Sequence, residues 1–420
     1  MNNPGFNPKT NPTMIKRPCP ARFWLFAAGL MLTVYYCDSA HAADAPITIL
    51  IQGKARDSNP TIVVDIAGGD SDLAELVRTT LLHSDWFRPV SADGDYALEV
   101  RAQSGGGLSL KLRSRDGAET SVVTPPSVGG QTQEVYRAVD NLIKSVFDSP
   151  GLCRARLAFV KNIDGVKEIY TADFNGDNPK ILTRNHTLSV EPHWGGNRRY
   201  LVYTLYSTIA TDIMLIDLGM DRQRRLTRSP GLNSGAALSN SGRQVAMTLS
   251  GGQNVDLYIM DLPNGEPQKL TSSSGLEASP CWSPNDKKLC YVSDQQGRPR
   301  LYLLSSRGGK PKRLLPQPME CVSPSWSTVS NKICFAMRQD NRYVIGVVNM
   351  RDRDRTIDTI VTAPGDWEAP SWAPDGRHII CSRNFEGKKS LYFVDSLFHT
   401  IVPLKNFTGD DTLPVFSPLP

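Results

Sequence analysis

Five histidines lie beyond residue 42, at His83, His186, His193, His378 and His399, and no two of them stand at H-x-x-x-H or H-x-H spacing. A metal site needs imidazoles gathered on one face, so surface or internally satisfied histidines are the expectation, with no metal and no cofactor. Six cysteines share that region, namely Cys153, Cys281, Cys290, Cys321, Cys334 and Cys381, without a C-x-x-C pair. That excludes the usual redox and metal motifs, and leaves open core thiols or a disulfide. No G-x-S-x-G nucleophile turn occurs. Gly68-Gly69 and Gly105-Gly106-Gly107 are not followed by the Lys-Ser/Thr of a phosphate loop, so they read as turns. The residues that could do chemistry are not arranged to do it, and the chain reads as a binding protein rather than an enzyme.

The elements that would position a binding site emerge from an internal repeat. The segments Pro192-His193-Trp194, Ala236-Ala237-Leu238, Pro280-Cys281-Trp282, Pro324-Ser325-Trp326, Pro370-Ser371-Trp372 and Pro414-Val415-Phe416 align, with their last residues 44, 44, 44, 46 and 44 apart. Asp173, Asp217, Asp261, Ser305, Asn349 and Asp395 keep nearly the same period. Each unit reads as four short strands, which is the period of a propeller blade. The recurring Asp suits a turn, where it can accept backbone N–H bonds. The repeated Trp194, Trp282, Trp326 and Trp372 read as blade core. Three strands after Arg156 lack a preceding aromatic strand, and Thr412–Ser417 is an aromatic strand with nothing behind it. One blade therefore combines both ends of the repeat region, giving six blades over residues 153–420 and covering an exposed sheet edge.

Residues just before each innermost strand should line the mouth of the propeller, on loops held by a rigid scaffold. Glu191, Asn233, Glu277, Trp367, Glu368 and Asp411 are the candidates. The acids would form a negative funnel able to receive a basic loop, and Trp367, if exposed, would be an interface anchor. The bland alternative for each is a solvated loop residue.

Residues 43–150 alternate strand and helix signals and predict a small α/β domain. Ile47–Ile51 and Thr61–Val64 are β-branched strand runs, and Tyr96–Ala102 with Leu108–Arg113 forms a hairpin. Leu73, Leu76, Val77, Leu81 and Leu82 make one helical stripe over 70–84, and Val135, Val139, Leu142, Ile143 and Val146 make another over 132–147. Both helices should pack on one face of the sheet. The fold class is thus multidomain: a small α/β domain followed by an all-β six-bladed propeller.

The first 42 residues differ in kind. Lys16, Arg17 and Arg22 precede an apolar run from Phe23 to Tyr36 and then Ala40-His41-Ala42, the pattern of a cleaved export signal, too short for a good membrane span. Either Met1 or Met14 could be the start. Without that segment the chain carries 43 basic and 41 acidic residues, a balance with no nucleic-acid footprint.

The sequence resembles the TolB proteins of the Gram-negative cell envelope. The likeness rests on Pro60-Thr61-Ile62-Val63-Val64, Ser84-Asp85-Trp86-Phe87-Arg88-Pro89-Val90, Leu257-Tyr258-Ile259-Met260-Asp261-Leu262 and Ser293-Asp294-Gln295-Gln296-Gly297-Arg298-Pro299. It implies a monomeric periplasmic component of the Tol-Pal system, which supports envelope integrity and division. It further implies that a Pal-like peptidoglycan-associated lipoprotein docks at the mouth, and that Ala43, Asp44, Ala45, Pro46 and Ile47 engage a TolA-like inner-membrane protein. Several blades depart from the family's W-S-P-D-G turn, as at Trp194-Gly195-Gly196-Asn197. Two other readings stay in view. One is an exported propeller that binds a glycan or small ligand, for which Trp367 is the one aromatic on offer; the other is a propeller lyase or hydrolase, which would need clustered acids or histidines in the funnel.

Overall fold

The computed structural model describes residues 58–420, apart from position 68 and the stretches 208–209, 228, 251–253, 405–406 and 408. The export signal, the segment Ala43 to Ile47 and the expected strand Ile47 to Ile51 lie outside the described residues.

Five strands and two helices come first. Strands β1 (Thr61–Ile66), β2 (Arg88–Val90), β3 (Tyr96–Ala102), β4 (Leu108–Ser114) and β5 (Glu119–Thr124) form one sheet in the order β2-β1-β3-β4-β5. β1 runs parallel to both neighbours, and β3, β4 and β5 are antiparallel. The hairpin turns at the predicted glycines. β2 and β5 carried no readable signal, since both are edge strands and one is three residues long.

Helix α1 (Ser71–Ser84) starts where Asp70 Oδ1 accepts the Leu73 N–H at 3.0 Å, a side-chain cap that satisfies one of the helix's orphan donors. It buries Leu73, Val77 and Leu81, whereas Leu82, assigned to the same stripe from the sequence, is 53% exposed. Helix α2 (Gly130–Phe147) begins two residues before the expected start and buries Val135, Val139, Leu142 and Ile143. Its Asp140 carboxylate reaches beyond the helix to accept the backbone N–H of Cys153 at 2.8 Å and the Nε–H of Arg154 at 2.9 Å.

From Arg156 onward the chain is strands in a β-propeller. Four sheets have four antiparallel strands in chain order; one runs Glu277–Trp282, Lys288–Ser293, Arg300–Ser305, Lys312–Arg313. A larger eight-stranded sheet contains Arg156–Ile163, Val166–Asp173 and Lys180–Ile181 together with Leu188–Trp194, Tyr200–Tyr206, Thr211–Asp217 and Arg222–Arg225, joined through the single parallel pair Lys167↔Leu188. The strand Asp411–Phe416 pairs antiparallel with Arg156–Ile163, Phe416 opposite Leu157 and Asp411 opposite Lys161, so the two ends of the repeat region share one sheet.

The repeated residues do what their period implies. Trp194, Leu238, Trp282, Trp326, Trp372 and Phe416 are all buried. Asp217 Oδ1 accepts the Gly219 N–H at 3.0 Å and Asp395 Oδ1 that of Leu397 at 2.7 Å, each holding its turn. All six cysteines are buried as free thiols. The two units do not keep separate cores: Leu73, Phe87 and Leu142 belong to one apolar cluster with Phe159, Phe174, Phe393 and Phe416. No helix among the described residues is long and apolar enough to cross a membrane.

Candidate partner-binding site

Six strands carrying the repeated core residues, five of them aromatic and the sixth Leu238, meet around a common axis. Glu191, Gly235, Ser279, Ser323, Ala369 and Leu413, one from each, line a single narrow cavity of about 150 Å³, and the residues after them continue into a second of about 280 Å³. These six occupy one repeat position, and all adopt positive φ, between 49° and 59°. Each sits where the pairing with the next strand slips register, as between Ala278 and Cys281 or between Thr412 and Val415. Every innermost strand therefore carries a β-bulge. Proline at the next position, in all but Ala236, fits a bulge because it has no N–H to give to a ladder. The sequence held that signal, since a repeated proline two residues before the core aromatic is incompatible with regular strand pairing.

The bulges decide where the candidate mouth residues lie. Asn233, Glu277, Trp367 and Asp411 share the position two residues before the bulge, and all four are 0% exposed. The extra residue shifts the side-chain alternation, so this position turns into the blade wall rather than toward solvent. Trp367 is accordingly not an exposed anchor. Its Nε1–H donates to Ala363 O at 2.9 Å, and its ring packs edge-on to Tyr392 at 5.0 Å. Asn233 Nδ2 donates to the carbonyls of Thr211, Ser229 and Gly231 at 2.7, 2.8 and 3.1 Å, a scaffold role. Solvated loop residues is likewise the wrong description of these four.

The carboxylates behave accordingly. Both carboxylates are sealed from solvent, Glu277 beside Thr271 and Ser273 and Asp411 beside Gly409 and Lys161. Burial raises the pKa of Glu277, and it pushes Asp411 up to about 6 against the opposing charge of Lys161. Glu368 is half-buried, its pKa raised by burial and lowered in part by Lys389. Glu191 reaches the axis, where its Oε2 accepts the Thr204 hydroxyl at 2.7 Å and the Gly235 N–H at 2.9 Å. The structure thus brings Glu191 to the central cavity and sets Asn233, Glu277, Trp367 and Asp411 in its supporting wall.

His193 also lines the cavity. Burial lowers its pKa to about 4, and its Nδ1 accepts the Leu238 N–H at 3.2 Å, so the neutral ring is a structural acceptor tying adjacent blades.

The family model for the TolB beta propeller domain matches residues 144–420. The chain belongs to the TolB beta-propeller domain family. It is 29% identical over 119 residues to the Tol-Pal system protein TolB of Desulfosudis oleivorans, covering 27% of each chain. Against the Tol-Pal system protein TolB of Bordetella pertussis it is 22% identical over 212 residues, 44% of this chain and 48% of that protein. The chain thus spans between about a quarter and a half of the length of these curated relatives. In fold it is similar to the crystal structure of TolB from Acinetobacter baumannii, with a TM-score of 0.77 at 20% identity over 86% of this chain and 97% of that one. That share exceeds residues 144–420, so the likeness to this TolB-family structure extends into the helices and sheet before the propeller.

Proposed function

We propose that this chain is an exported, non-enzymatic scaffold of the Tol-Pal envelope system that holds partners through a rigid propeller mouth. In this reading residues 1–42 are a cleaved signal, 43–150 an α/β domain and 153–420 a propeller. The eight-stranded sheet counts as two blades, six in all. The protein works as a periplasmic monomer without a cofactor. A Pal-like lipoprotein docks at the mouth around Glu191 and Glu368, with Asn233, Glu277, Trp367 and Asp411 fixing the wall behind them. Ala43, Asp44, Ala45, Pro46 and Ile47 engage a TolA-like protein.

The observation that supports this most is the construction of the axis. Six bulged strands present a stiff rim around a narrow axial channel, a rigidly held surface of the kind that receives a protein loop. Family membership supports the Tol-Pal context.

The test is a pull-down from solubilised envelopes with residues 43–420 beside a chain lacking 43–49. Recovery of a peptidoglycan-binding lipoprotein, reduced by Glu191→Lys, is the expected result. Retention of no envelope protein by either form would sink the reading.

A further inference from the structure

A dense polar cluster lies away from the mouth, where the end of α1 meets the sheet formed by Asp366–Trp372, His378–Phe385, Lys388–Asp395 and Ile401–Pro403. At its centre is His378, 0% exposed. Its Nδ1 is 2.6 Å from Asp375 Oδ2, and its Nε2 faces Asp85 Oδ2 at 3.7 Å, within ion-pair range but without a hydrogen-bond partner. The ring stacks on Phe393 at 4.7 Å and meets Trp86 edge-on at 6.0 Å. Trp86 Nε1–H donates to Asp375 Oδ2 at 3.1 Å. Asp85, the left-handed cap of α1, is held by Asn59 Nδ2 at 2.8 Å and Thr400 Oγ1 at 3.2 Å.

The charged groups facing the ring are Asp375 and Arg377 from the turn, Asp395 from the paired strand and Asp85 from α1. Arg377 is already committed, its Nε and Nη2 gripping the two oxygens of Asp395 at 3.1 and 2.6 Å. That leaves Asp375 and Asp85 on opposite sides of one imidazole. A neutral ring that donates from Nδ1 to Asp375 would aim the Nε2 lone pair at the Asp85 carboxylate, acceptor against acceptor. A protonated ring donates toward both.

We propose that His378 is carried as an imidazolium and serves as a proton-operated latch, holding the α/β unit to the last four-stranded sheet of the propeller. Burial alone would lower its pKa, but the charge and hydrogen bond of Asp375, then Asp85 and Asp395, outweigh that and hold it up at about 9. Loss of the proton leaves the Asp85 and Asp375 carboxylates opposed with no cation between them, and the α1 end of the junction loosens. The equivalent repeat positions Tyr200, Gln244, Lys288 and Lys332 are half-buried or exposed, whereas His378 is fully enclosed. Asp85, His378 and Asp395 also bring ligand atoms within 4.8 Å of one another. A divalent ion there would have to displace the Arg377 fork from Asp395, so the cluster is better suited to a proton. The latch bears on ring closure too, since Phe393 contacts Phe416 of the closing strand at 6.1 Å.

The test is titration of the His378 ring by NMR in the chain from residue 43, with amide exchange followed at the last turn of α1. The expected midpoint lies near 9, and Asp85→Asn should lower it by about one unit, a shift that a purely structural role for Asp85 would not produce. Exchange at Leu82 to Trp86, corrected for its intrinsic rate, should accelerate about tenfold as pH rises through the midpoint, and His378→Gln should show the fast rate already at pH 7. If His378→Gln does not fold, the Asp85→Asn shift decides alone. A wild-type midpoint at or below the ordinary 6.5, a midpoint indifferent to Asp85→Asn, or stoichiometric Zn²⁺ uptake abolished by Asp85→Asn would each overturn the latch.

Discussion

The indole Nε1–H of Trp282 donates to the carbonyl of Ala237 at 2.9 Å, so the core aromatic of one repeat is fastened to the innermost strand of the repeat before it. Trp282 is 4% exposed, and it packs with Leu289, Ala246 and Ala237. Trp282→Phe keeps most of the ring and leaves a buried carbonyl short of a donor, which should cost about 1–2 kcal/mol. Trp282→Ala adds a cavity and should cost about 3–5 kcal/mol. Urea unfolding followed by circular dichroism measures both, and an unchanged midpoint for Trp282→Phe would show that the hydrogen bond adds nothing.

Gly151 separates α2 from the propeller at the closest approach in the linker. A Cβ there would sit 2.0 Å from Asp140 Oδ1, the carboxylate that holds Cys153 and Arg154. Gly151→Ala must push α2 and the first propeller strand apart, or break those bonds, and should lower stability by about 2–3 kcal/mol. Thermal unfolding checks this, and a loss below about 0.5 kcal/mol would mean that the linker moves freely.

Ala369 holds φ at 49° on the axial rim, a left-handed conformation that strains a residue with a Cβ. Ala369→Gly should therefore stabilise the folded chain or leave it unchanged within about 1 kcal/mol, against the usual penalty for glycine in a strand. A fall in the unfolding midpoint would show that the bulge imposes no strain.

Asp411 is buried, and that burial raises its pKa to about 6 against the pull of Lys161. The folded state therefore holds its proton at a pH where the unfolded chain, with an ordinary value near 3.9, has released it. Its contribution is full below about 4, declines as pH rises through 6 and is absent above that. Asp411→Asn removes the charge and should stabilise the chain at pH 7.5 by about 1 kcal/mol while changing little at pH 4. Unfolding at the two pH values decides it, and an equal effect at both would refute the assignment.

How far the fold was legible follows from where the information sits. The period of 44 residues was carried by the core aromatics and turn aspartates themselves, so the repeat, its core and the shared first sheet could be read directly, as could the two helices from their stripes. Local chemistry sufficed because each residue's role depends on neighbours within one unit. Strands β2 and β5 escaped, since an edge strand owes its pairing to the rest of the sheet and not to its own alternation.

The candidate site was legible in position but not in orientation. Counting back from each aromatic located Glu191, Asn233, Glu277, Trp367, Glu368 and Asp411 at the inner ends of the blades. One inserted residue at each bulge then reversed which of them faces the axis, and burial became 0% for four. His378 shows the same division more sharply. In the sequence it is one residue among equivalents that include Tyr200, Gln244, Lys288 and Lys332, and Asp375 three residues before it does not by itself mark it as buried. Only the docking of α1 some 290 residues earlier in the chain brings Asp85 and Trp86 over it, excludes water and leaves a proton as the means of balancing the carboxylates on either side.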